Sequence, residues 1–191
     1  MVGSGLVKAD PSQRARPVGA IVTSRTFGPM AETPPQLGLD FFETAPVKKP
    51  VQLDFAHPPK VVFAALAEDP AGWGRWFPGF SDTGRYVTPG PHGVGSVREM
   101  QFRSSTLRET VLAWEEGVRW AFYISGGGIP GMRSLAEDYH FEAQPGGCRL
   151  TWTTAIVPAA LLRPVAGLVL TLGSSSLRKA GANLDRLLSE K

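Results

Sequence analysis

Residues 106–125, TLRETVLAWEEGVRWAFYIS, decide the fold. Leu107, Glu109, Val111 and Ala113 recur at every second position, and so do Val118, Trp120, Phe122 and Ile124. Period-2 recurrence marks strands that bury one face. Only Glu115-Glu116-Gly117 separates the two runs, too little chain for a crossover helix, so the strands form an antiparallel hairpin. The same punctuation repeats outward. Strands are expected at Ser81–Thr88, Val94–Arg103, Thr106–Trp114, Val118–Ser125, Leu135–Ala143 and Cys148–Val157, separated by short Gly- and Pro-rich turns.

Upstream, Val51, Leu53 and Phe55 alternate with Gln52 and Asp54 and predict a first strand, which His57-Pro58-Pro59 stops. Proline suits a first helical turn, so Val61–Ala67 reads as a short buried helix. Asp69-Pro70 starts a second, in which Trp73, Trp76 and Phe77 share a face. Downstream, Ala159 to Glu190 reads as one long helix, with Leu177, Ala180, Leu184, Leu187 and Leu188 on one side and Pro164 near its start. A flat sheet cannot be covered by one helix, whereas a twisted, curled one can wrap around it. The expected fold is therefore α+β: a curved seven-stranded antiparallel sheet around a long C-terminal helix, with two short helices after the first strand.

Charge and composition narrow the function. The formal charge of +3 resides in the first 29 residues, where Lys8, Arg14, Arg16 and Arg25 meet Asp10 alone. The folded remainder is neutral, which argues against nucleic-acid binding. Residues 1–38, low in aromatics and rich in Gly, Pro, Ser and Arg, read as an extension without a core, to which Val18–Thr23 could add a short strand. A plain tail or a transit peptide fits it, and Met30 offers an alternative start. Residues 39–191 form the expected domain. Cys148 is the sole cysteine, and nothing demands an oxidising compartment. No apolar signal region opens the chain. The apolar run Ala159–Leu172, interrupted by Arg163 and Pro164, reads as a buried helix, with a membrane-surface segment as the lesser alternative. The cytoplasm is the expected location, with no transmembrane segment.

Five pieces carry a family resemblance: Phe55-Ala56-His57-Pro58-Pro59-Lys60-Val61-Val62-Phe63, Trp73-Gly74-Arg75-Trp76-Phe77-Pro78, Val94-Gly95-Ser96-Val97-Arg98-Glu99, Arg108-Glu109-Thr110-Val111 and Gly146-Gly147-Cys148-Arg149-Leu150-Thr151-Trp152. In this order, over residues 45 to 190, they resemble the START-like superfamily known as SRPBCC, in its polyketide cyclase/dehydrase and lipid-transport branch. The resemblance implies a helix-grip fold with an internal cavity for lipids, sterols, polyketides or other apolar ligands. It implies no particular reaction.

Alternation assigns the inner wall: Val94, Ser96, Arg98, Met100 and Phe102; Leu107, Glu109, Val111 and Ala113; Val118, Trp120, Phe122 and Ile124; Leu135, Glu137, Tyr139 and Phe141; Cys148, Leu150, Trp152, Thr154 and Ile156. Arg98, Met100, Glu109, Trp120, Phe122, Glu137, Tyr139 and Trp152 are the candidate ligand contacts. Arg98, Glu109 and Glu137 are the wall's only expected charges. They read as a polar anchor for an apolar ligand, as a structural ion pair, as surface groups after a one-residue register slip, or as acid–base groups. Glu109, Glu137, Tyr139 and, more weakly, Tyr123 are the candidate catalytic side chains, in no recognisable constellation. Trp73 and Trp76 read as core, Cys148 as a small buried hydrophobe and His140 as a surface residue beside Asp138. Three scattered histidines and one cysteine offer no metal spacing, so neither metal nor cofactor is expected. The glycine-rich loop 126–131 reads as a hairpin loop or a lid. The functions carried forward are a binder or carrier of a small hydrophobic ligand, a cyclase or dehydratase, and a protein-interaction module with a filled core. Oligomeric state is left open. A cavity packed shut by Trp120, Phe122, Tyr139 and Trp152 would end the first two.

Overall fold

The computed structural model describes Met1 and residues 35–190. The strand expected at Val18–Thr23 and nearly all of the N-terminal extension lie outside those residues. A short helix α1 (Phe41–Thr44) leads into β1 (Val47–Phe55), α2 (Pro59–Phe63) with a π-turn continuation Ala64–Glu68, and α3 (Trp73–Trp76). Then come β2 (Arg85–Tyr86), β3 (Val97–Phe102), β4 (Ser105–Glu115), β5 (Arg119–Gly126), β6 (Met132–Gln144) and β7 (Gly147–Pro158). A 3₁₀ segment Ala160–Val165 precedes the long helix α4 (Ala166–Ser189). The seven strands form one antiparallel sheet in the order β1-β7-β6-β5-β4-β3-β2. The curved sheet grips α4, as expected. Gly117 closes the β4–β5 turn at φ +70°, where a Cβ would also lie 2.8 Å from Lys60 Cγ.

Several local expectations are corrected. The strand expected at Ser81–Thr88 shrinks to Arg85–Tyr86, because Gly84 is pressed against the Pro70 carbonyl and Ser81 and Thr83 close a turn before it. Val94 and Val118 occupy turns and are exposed, so neither belongs to the inner wall. A bulge between Val111 and Ala113 inserts Leu112 as an extra residue, which turns Ala113 outward and Trp114 inward against Phe63. β1 starts at Val47, four residues before the alternation first read. Pro50 is tolerated there because β1 is an edge strand, where a missing N–H breaks no ladder.

On the outer face, Ala113, Ala121, Ala136 and Ala155 form a small-residue seat for Phe41 and Phe42 of α1. Tyr123 is buried in that layer, so it does not reach the interior between sheet and α4.

α4 is gripped unevenly. Ala180 and Leu184 are fully buried, and at Gly181 a Cβ would stand 2.9 Å from Leu53 Cδ1. His57 and Asp185 tie this end to the β1–α2 turn, where Asp185 accepts the Ala56 N–H at 2.8 Å. The other end is a correction to the buried helix expected at Ala159–Leu172: Leu161, Leu168 and Leu172 are 94%, 60% and 66% exposed. In the N-terminal half of the helix only Ala166 and Ser174 are buried, whereas Ala180, Gly181 and Leu184 anchor the C-terminal half in the core. By length and composition alone Ala160–Ser189 is long and apolar enough to cross a membrane. Truncation should expose the asymmetry. Leu184→Ala is expected to cost about 2–5 kcal/mol in urea unfolding, and Leu168→Ala within about 0.5 kcal/mol.

Candidate functional site

Directly opposed residues of antiparallel strands share a face, so the inner wall is built in rows. One row runs Val51, Trp152, Tyr139, Trp120 and Trp114 across β1, β7, β6, β5 and β4. Its rings lie in series, with centroids 4.7 Å apart for Tyr139–Trp152 and 4.8 Å for Trp120–Tyr139. The next row is Lys49, Thr154, Glu137 and Phe122. A third is Val47, Ile156 and Leu135.

The aromatic row backs onto a buried charge. Arg98 and Glu109 are cross-strand partners in β3 and β4, and Arg98 Nε donates to Glu109 Oε2 at 2.5 Å. A second guanidinium nitrogen explains why the arginine is there. The carbonyls closing a helix lack intrahelical donors, and Leu66 O, at the end of the π-turn, accepts from Arg98 Nη1 at 2.8 Å and from Trp73 Nε1 at 2.9 Å. Tyr86 Oη serves Ala67 O in the same way at 2.7 Å. The guanidinium carbon lies 4.3 Å from the Trp120 ring centroid and 4.9 Å from that of Trp73, so aromatic faces supply part of the lost solvation. Burial pushes the Glu109 carboxyl up, against the pull of Arg98.

Two adjoining spaces remain between sheet and helix. An inner cavity of about 90 Å³ is walled by Trp73, Phe77, Phe80, Phe102, Leu107, Ile124, Ile129 and Leu135 together with Glu109, Phe122, Glu137 and Trp152. A cleft of about 450 Å³ opens toward α4, where Gly173, Ser174 and Leu177 face Lys49, Val51 and Thr154. Phe77, Phe102, Ile129, Leu135 and Glu137 belong to both walls. Four of the eight expected contacts, Glu109, Phe122, Glu137 and Trp152, therefore face the cavity. Arg98, Met100, Trp120 and Tyr139 are fully buried behind it. The aromatics close one end of the interior and leave the other open.

Glu137 stands where cavity and cleft meet. Its Oε2 accepts from Tyr139 Oη at 2.5 Å, and Thr154 Oγ1 lies 3.4 Å from Oε1. Burial, partly offset by the Tyr139 hydrogen bond, pushes its carboxyl up to about 7, and the Tyr139 hydroxyl is driven well above its ordinary 10. Cys148 is buried, and desolvation raises its thiol to about 11, leaving it unreactive. His140 lies on the outer face against Asp138, which Arg119 grips with two hydrogen bonds. Among the described residues, no group of three or more His, Cys, Asp or Glu side chains converges.

Lys49 and Lys179 of the cleft wall, and Arg103 in the β3–β4 turn, were missed as site residues. Lys49 was legible in principle, since Val47, Lys49, Val51, Leu53 and Phe55 form one alternating series. The other two depend on how α4 and the turn sit, which no local pattern encodes.

Two measurements test this site. Arg98→Met leaves Glu109 buried and unpaired and is expected to cost about 3–5 kcal/mol in urea unfolding. Arg98→Met/Glu109→Leu should recover most of that loss. For Glu137, the folded protein holds the proton more tightly than the unfolded chain, whose carboxyl titrates near 4.5. Its contribution is complete below pH 4.5 and declines as pH rises through about 7, by up to about 3 kcal/mol. Glu137→Gln should flatten that part of the stability–pH curve.

A model of the family described as Polyketide cyclase / dehydrase and lipid transport matches residues 48–188. The uncharacterized protein Rv2574 of Mycobacterium tuberculosis (strain ATCC 25618 / H37Rv) is 36% identical over 152 residues, which cover 79% of this chain and 90% of that protein. The crystal structure of Ara h 8.0201 superposes with a TM-score of 0.61 at 16% identity, covering 76% of this chain and 99% of that one. Major latex-like protein 151 from Panax ginseng gives 0.61 at 14% identity, covering 73% and 95%. At such identities the two structures bear on the fold alone.

Proposed function

Since the chain belongs to the Polyketide cyclase / dehydrase and lipid transport family, we propose that it binds or carries a small molecule with an apolar body in the space between sheet and α4. The observation that carries this reading is the 450 Å³ cleft adjoining a nearly all-apolar inner cavity. That size falls within the range of small-molecule sites, and apolar walls with a few convergent polar groups are their usual make-up. Lipids, polyketides and aromatic compounds are the proposed ligand classes. The volume left open argues against an interaction module with a filled core. The cytoplasm is the proposed location.

A second reading, a cyclase or dehydratase, is favoured by one observation. Glu137, near neutrality in its proton affinity, faces the space and is hydrogen-bonded to Tyr139.

Native mass spectrometry of freshly purified full-length protein is the direct test, because a co-purified apolar compound would name the ligand class. The uncharged fluorophore N-phenyl-1-naphthylamine provides a second. It is expected to bind with micromolar affinity and to lose at least about tenfold in Ser174→Phe, which fills the cleft. A wild-type protein that neither carries a compound nor binds the fluorophore overturns the reading. Ligand converted by the wild type but bound unchanged by Glu137→Gln would move the assignment to the enzyme.

A further inference from the structure

We propose that the cleft is built for an amphipathic anion, whose charged head rests at the mouth on Lys49, Arg103 and Lys179 while its apolar body enters between sheet and helix. This deepens the binding reading and rests on it. Four charged side chains line the cleft: these three cations and Glu137. The cations come from separate elements, β1, the β3–β4 turn and α4, so no single helix or strand explains their convergence.

Lys49 is the informative member. An exposed lysine on a helix, such as Lys179, has water as its partner and needs no other. Lys49 is half-buried on the inner face, in register with Thr154 and, one strand further, Glu137. Its ammonium nevertheless forms no ion pair with that carboxyl, whose Oε2 is taken by Tyr139. Among the described residues, none of the three cations has an acidic partner within 4.0 Å, although basic groups elsewhere on the sheet do. Arg85 and Arg108 meet Glu99, Arg119 meets Asp138, and Arg149 meets Asp54. A cation held over an apolar wall without a counter-charge is poorly solvated, and a bound anion relieves that cost.

Arg103 sits at φ +53°, in the left-handed region, and its guanidinium carbon lies 5.6 Å from the Phe102 ring centroid. Phe102 lines both cleft and cavity, so the turn places a cation at the rim of the apolar path. Glu137 lies deeper and is occupied by Tyr139 and Thr154. Burial raises its proton affinity to about 7, so around neutrality it carries only part of a negative charge and opposes an anion less than an ordinary carboxylate would. The mouth is positive and the interior close to neutral, which orients an amphiphile head outward and tail inward.

Competition against bound N-phenyl-1-naphthylamine tests the proposal on the full-length chain, with dodecanoate, dodecyl phosphate and methyl dodecanoate below micelle-forming concentrations. At least one anion should displace the fluorophore about tenfold more effectively than the ester, with an advantage that shrinks as salt is raised. Whichever anion does so distinguishes a carboxylate from a phosphate head. Lys49→Gln should remove about five- to tenfold of that advantage and leave the ester unaffected. Lys179→Gln, on the exposed helix surface, is a second variant that cannot disturb the sheet. Equal displacement by ester and both anions overturns the proposal and leaves the binding reading standing, as does an anion advantage that survives both variants. Failure of the fluorophore and all three amphiphiles to bind the wild type overturns both.

Discussion

The Arg98 guanidinium is the constraint around which the interior is arranged. Where the π-turn ends at Glu68, the Leu66 carbonyl is left inside the core, and Arg98 and Trp73 together supply its donors. Glu109 neutralises the arginine, while Trp73 and Trp120 cover it. A charge at this depth is tolerated only when its charge and its donors are met together. Meeting them fastens β3, β4, the end of α2 and α3 to one another. Nη2 remains without a hydrogen-bond acceptor, so the aromatic faces carry that part of its solvation.

From this follows the position of the open space. Packing rings around Arg98 makes the aromatic row solid, with Trp120, Tyr139 and Trp152 fully buried. Volume can survive only toward the Lys49–Thr154–Glu137 row and beyond it. α4 completes the arrangement through its small residues, used in two ways. Gly181 lets the helix approach Leu53 closely, whereas Gly173 and Ser174 give the cleft its helix wall without filling it. A single helix thus serves as clamp at one end and as wall at the other.

The fold was largely legible because period-2 and period-3.6 patterns are local, and the turns between them were short. Where local pattern misled, the cause was non-local. The inserted Leu112 shifted the register of β4, so that Ala113 left the interior and Trp114 entered it, while the sequence alternates smoothly through the site. Pro50 disguised the start of β1, since only an edge position makes a proline harmless there, and with it went the inward Lys49. The apolar run 159–172 read as buried because hydrophobicity alone does not reveal whether a sheet extends over it. Arg98 and Glu109 were recognisable as an inward pair. That the pair serves the Leu66 carbonyl as much as the cavity depended on an element far away in sequence.

The same geometry bears on the choice between binding and chemistry. Acid–base catalysis needs a side chain within hydrogen-bond reach of the reacting atoms that can give up and take a proton near the operating pH. Glu109 reaches the cavity wall, but Arg98 holds one of its oxygens, and exchanging its proton would disturb the constraint that supports α2 and α3. Tyr139 is buried behind Glu137 with its hydroxyl proton committed to that carboxylate, and its raised proton affinity makes it a donor rather than a base. Glu137 is then the one carboxyl of the inner cavity free to exchange a proton with a bound molecule, and Glu109 and Tyr139 leave it no independent partner there. A lone carboxyl at the junction of the two spaces, its proton affinity raised by burial, is better suited to a hydrogen bond with a ligand's interior polar atom. On that ground the arrangement favours holding a molecule over transforming it.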